Sequence, residues 1–135
     1  MPVLLGFDPG RDKCGVVLRS ARGEWLFQEV VPAAAALEII YNLYQQYQPD
    51  VLVMGDQTTH RQWRQQLQQR LPGVNLVTVD ERYSTLEAQN KYWKLYPAQG
   101  WRRLLPPGLR PLPRPVDDVA AMILVERYCQ QHSPA

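Results

Sequence analysis

Residues 4–17 read LLGFDPGRDKCGVV. An apolar run ends in one acid, Asp8. Pro9-Gly10, a short charged stretch and a second apolar run follow. Pro-Gly ends a regular element, so residues 3–8 are predicted as a short buried strand with Asp8 at its tip. A carboxylate at the end of a buried strand is costly unless something engages it. The rest of the chain has to supply that something.

Working outward, Cys14–Arg19 and Glu24–Val31 read as two further strands. Ser20-Ala21-Arg22-Gly23 is the hairpin turn between them. A helix over Ala33–Tyr47 follows, with Leu37, Ile40, Tyr41 and Tyr44 at helical spacing and Pro49 beyond its end. Val51–Met54 is too short for a helix and suits a buried parallel strand. Arg61–Leu71 is a helix stopped by Pro72-Gly73, and Val74–Val79 is a strand. Ser84–Tyr96 carries a capping box, with Ser84 at the N-cap and Glu87 three residues on. Asp117–Gln131 is the last helix, turning Ala120, Ile123, Leu124 and Tyr128 toward a core. The order β-β-β-α-β-α-β-α-loop-α predicts one α/β domain over 1–135. Its mixed five-stranded sheet has three antiparallel strands, then parallel ones, with helices on both faces.

The chain has 135 residues, a net charge of +2 and two cysteines. That length suits one domain able to bury roughly two-thirds of its unfolded surface. Cys14 and Cys129 stand in no metal-binding spacing and read as reduced thiols, which points to the cytoplasm. No apolar run reaches the length of a membrane span, and no cationic leader precedes the first strand.

The acids fall where the strands end. Asp8 ends the first strand, Asp56 follows the fourth in VLVMGDQ, and Asp80-Glu81 follow the fifth in LVTVDERYST. Asp117 and Asp118 open the last helix. Carboxyl ends of neighbouring parallel strands share one end of a sheet, where ligands bind. Clustered carboxylates repel, and a hard divalent cation such as Mg²⁺ or Mn²⁺ relieves that repulsion. Two such ions about 4 Å apart suit phosphodiester displacement.

Three stretches, GFDPGRDKCGVV, VDERYSTLEAQ and VDDVAAMILVERY, resemble the YqgF (RuvX) family, related to RuvC Holliday-junction resolvases within the RNase H-like fold. Their order and spacing match over nearly the whole chain. The DERxST signature is the most specific of the three, whereas the Asp-Pro-Gly turn is closer to RuvC. The resemblance implies an RNase H-like nuclease cutting structured nucleic acid with Mg²⁺ or Mn²⁺, as two ions. Its substrate would be the 16S rRNA precursor or, alternatively, branched DNA such as a Holliday junction, and the protein would be a monomer or homodimer. Carried over by motif, Asp8, Glu81 and Asp117 are the catalytic metal ligands. Asp56 and Asp118 are further ligand candidates. The chain departs from the family after the fourth strand, where GDQTTHRQW replaces a Gly-Leu-Pro loop.

Plainer readings stand beside these. Asp favours turns and helix caps, so Asp8 could be a turn former, Asp117 or Asp118 an N-cap, and Asp80 a turn hydrogen-bond acceptor. Asp56 could cap the helix beginning near His60, as could Thr58 or Thr59. Glu81 and His60 could be solvated side chains.

Residues 97–116, PAQGWRRLLPPGLRPLPRPV, hold half of the twelve prolines and are expected to form a loop beside the site. From Lys91 to Val116 there are six cations and no acid: Lys91, Lys94, Arg102, Arg103, Arg110 and Arg114. Tyr92, Trp93, Tyr96 and Trp101 are interleaved. Phosphate contacts combined with stacking on unpaired bases is a nucleic-acid-binding pattern. Trp101 belongs to the expected surface, and Arg61 and Arg64 on the second helix would extend it. Two other classes compete with a nuclease. One is a non-catalytic nucleic-acid-binding module of the same fold. The other is an ATP-binding protein of the actin and sugar-kinase type, which needs a second lobe that the chain has no room for.

Overall fold

The computed structural model describes residues 2–56, 60–80, 82 and 84–132. Five strands, β1 (Leu4–Asp8), β2 (Lys13–Arg19), β3 (Trp25–Pro32), β4 (Val51–Gly55) and β5 (Leu76–Val79), form one sheet in the order β3-β2-β1-β4-β5. β1, β2 and β3 pair antiparallel, and β1-β4 and β4-β5 pair parallel. The mixed sheet is therefore as expected. The tips of β1, β3, β4 and β5 and the start of β2 all lie at one end of it.

β1 and β4 read as unbroken apolar runs because both faces are covered. On one face, Leu5, Phe7, Val16, Leu52 and Met54 pack with α1 (Ala33–Tyr47) and α2 (His60–Arg70). On the other, Leu4, Val17, Val51 and Val53 pack with α4 (Asp117–Gln131). α3 (Ser84–Leu95) covers the outer side of α4, placing Ala88, Tyr92 and Trp93 against Val119, Ala120 and Ile123. Val119–Val125 are buried throughout, as a helix sandwiched between sheet and helix must be.

Some expectations shift. Ala36 and Leu43 join Ile40 as the buried residues of α1, while Leu37, Tyr41 and Tyr44 pack only at its margin. The proline-rich stretch contains two short 3₁₀ turns, Gly100–Leu104 and Pro107–Leu109, the second packed against α3. Proline at the start of such a turn costs no hydrogen bond, so the segment is ordered without being a helix. Glu87, expected to close a capping box, pairs with Arg127 at 2.8 Å. The Ser84 side chain lies outside the described residues.

Candidate metal and nucleic-acid site

Asp8 ends β1 directly opposite Gly15 of β2. Gly15 is where α4 arrives: a Cβ there would overlap the Asp117 carbonyl and come within 2.7 Å of the Asp118 nitrogen. Only glycine lets the helix start so close to the strand. Asp8, across the strand pair, and Asp117, at the start of α4, thus both flank Gly15. The Pro9-Gly10 turn is equally tight, since a side chain on Gly10 would overlap the Lys13 carbonyl.

Cys14 reports the same convergence. Its Sγ lies 3.5 Å from the Gly10 nitrogen, and its thiol is pushed up first by burial and further by the Asp8 and Asp117 carboxylates. The Asp117 carboxyl is likewise raised, by burial first and then by Asp118, with Lys13 acting against both. Asp117 and Asp118 are not N-caps: Val116 holds that position without a side-chain hydrogen bond, and the two acids are the first residues of the helix.

Asp118 is engaged within the fold. Its side chain is 4% exposed, and Arg114 grips it through both carboxylate oxygens at 3.0 and 3.3 Å. Gln28 Nε2 on β3 donates to the same carboxylate at 2.9 Å. A buried charge with such partners is a structural ion pair. Asp80 is also taken: Arg82 donates to it from its backbone N and from Nε, each at 2.9 Å, and these bonds hold its carboxyl below the usual range. Asp80 is therefore the turn acceptor of the DER segment. Asp56 is exposed immediately after β4, at the same end of the sheet as Asp8.

Glu81 lies outside the described residues, as do Thr58 and Thr59, but its neighbours are fixed by a residue that motif reading passed over. Arg127 of α4 donates to the carbonyl oxygens of Asp80 and Arg82, on either side of position 81, and to Glu87 at 2.8 Å. The signal was present in VERY, as a cation on a helix already read as core-facing. Among the described residues no three acidic, histidine or cysteine side chains form a metal-binding group. Asp8 and Asp117 are partly buried carboxylates, and hard oxygen donors of this kind suit Mg²⁺ or Mn²⁺.

The expected basic surface divides. Lys91 pairs with Glu126 at 2.8 Å, Arg114 with Asp118, and Arg110 donates to the carbonyls of Arg102 and Leu105. These three cations hold the proline-rich segment and α3 in place. Lys94, Arg103 and Trp101 are exposed, Trp101 at 57%, with the Arg102 guanidinium over its ring. Arg61 and Arg64 stand at the start of α2, on the opposite face of the sheet from this segment.

No family model matches the chain, and no curated protein matches its sequence. Among solved structures, it is similar to Thermus thermophilus RuvC, with a TM-score of 0.58 and 14% identity over 97% of each chain. It is similar also to T. thermophilus RuvC in complex with a Holliday junction substrate. There the TM-score is 0.57 and the identity 16%, over 97% of this chain and 96% of that one. The sheet order, the flanking helices and this full-length likeness make the fold RNase H-like, of the RuvC form.

Proposed function

We propose that the chain is a single nuclease domain that hydrolyses phosphodiester bonds in branched nucleic acid, a four-way DNA junction first. The observation that carries this reading is the approach of Asp117 to Asp8 through Gly15, in a RuvC-like fold. Asp8, Glu81 and Asp117 would hold Mg²⁺ or Mn²⁺, as two ions, with Asp56 beside them. Bound there, the metal would supply charge neutralisation at the phosphate and activation of water. The chain's own part is positional. β1 and α4 present carboxylates from fixed backbones, Lys13 adds positive charge beside Asp117, and Trp101, Arg102, Arg103 and Lys94 offer a stacking and phosphate-binding surface. Asp8 and Asp117 act on the phosphate and do not read the base.

The VDERYSTLEAQ signature favours a second reading, membership of the YqgF (RuvX) group with the 16S rRNA precursor as substrate. A cleavage panel with Mg²⁺ or Mn²⁺ separates the two. Four-way DNA junctions, structured RNA and single-stranded RNA are compared at equal concentration. Cutting of the junction above both RNAs supports the first reading, and the reverse order supports the second. No metal-dependent cutting of any substrate would leave only a nucleic-acid-binding module.

A further inference from the structure

A cavity of about 680 Å³ opens between the exposed strand β3 and the end of the proline-rich segment. Its size falls within the range of roughly 300–1,000 Å³ typical of small-ligand sites. Asp12, Gln28, Glu29, Tyr96, Arg114 and Asp118 are among its lining residues. It shares a wall with the candidate metal site: Lys13 and Asp118 line it, and both act electrostatically on Asp117.

We propose that this cavity receives one unpaired base of the nucleic acid, beside the candidate metal site at Asp8 and Asp117. This rests on the reading of the chain as a nucleic-acid enzyme. Tyr96 is 47% exposed and supplies a ring for stacking. The Arg114 guanidinium lies 5.6 Å from that ring and is fixed by Asp118, so the floor is rigid and its buried charge already neutralised. Gln28 spends Nε2 on Asp118 and keeps its carbonyl oxygen as an acceptor. Asp12 and Glu29 add carboxylates, which accept hydrogen bonds and donate none. An acceptor-rich pocket selects bases with an exocyclic amino group, adenine, cytosine and guanine, over thymine or uracil, which have none.

The test is binding in EDTA, so that it does not depend on cleavage. Fluorescence anisotropy measures the affinity of duplexes carrying a single unpaired A, C or T, for wild type, Tyr96→Leu and Glu29→Gln. The expected result is a preference of about tenfold for A or C over T, reduced to within about twofold in both variants. Equal affinity for the three bases, or a preference unchanged in both variants, overturns the pocket. A preference that persists in a protein unable to cut any substrate keeps the pocket and overturns the nuclease reading instead.

Discussion

A methyl group at position 15 would have to displace the first turn of α4, because the atoms it meets are backbone. Gly15 is a residue-scale control on the whole site: Asp8 is its cross-strand partner and Asp117 lies against it. Gly15→Ala is expected to destabilise the protein by roughly 3 kcal/mol, the upper part of the usual overpacking range. Metal affinity should fall with it. Urea denaturation and Mn²⁺ titration check the two effects, and a Gly15→Ala protein with wild-type metal affinity would refute the placement. Asp8 and Asp117 were legible as strand and helix termini. The fate of Asp118 was not. Arg114 lies only four residues before it, but outside the helix, and Gln28 comes from a strand ninety residues away, which no local pattern announces.

At the scale of elements, α4 does more than cover the sheet. Through Arg127 it ties down the DER turn on both sides of position 81 and, through Glu87, the first turn of α3. Arg127→Ala should cost roughly 2 kcal/mol, as expected for losing hydrogen bonds to a mostly buried charged group. It should also lower metal affinity about 10–100-fold, the usual effect of losing a group that orients a ligand. With Glu81 as the proposed ligand, the metal effect should vanish in a Glu81→Ala background. An equal loss in both backgrounds would make Arg127 merely structural. The helices were legible from apolar spacing and turn residues, and α1 and α4 run between the residues expected. The capping box falls partly outside the described residues; what could not be read locally is the bond from Arg127 to Glu87, forty residues apart. The proline-rich segment was legible as non-helical, but its role as an ordered brace was not, since the bonds made by Arg110 and Arg114 depend on tertiary packing.

For the whole molecule, a net charge of +2 says little about a partner. The arrangement says more: Lys91, Arg110 and Arg114 are engaged within the fold, which leaves Lys94, Arg102 and Arg103 beside Trp101 as the phosphate-binding candidates. Arg102→Ala with Arg103→Ala should weaken nucleic-acid binding and reduce the slope of log affinity against log salt by up to about 2. An unchanged slope would remove the pair from the interface. Everything proposed for this protein rests on Asp8 and Asp117, on either side of Gly15, acting as a metal-dependent phosphodiesterase site. The most direct measurement is Mg²⁺-dependent cleavage of a four-way junction by wild type and by Asp8→Asn, with circular dichroism confirming that both are folded. Wild type is expected to cut the junction, and the folded variant to show only background. Equal cleavage by both would contradict that assignment.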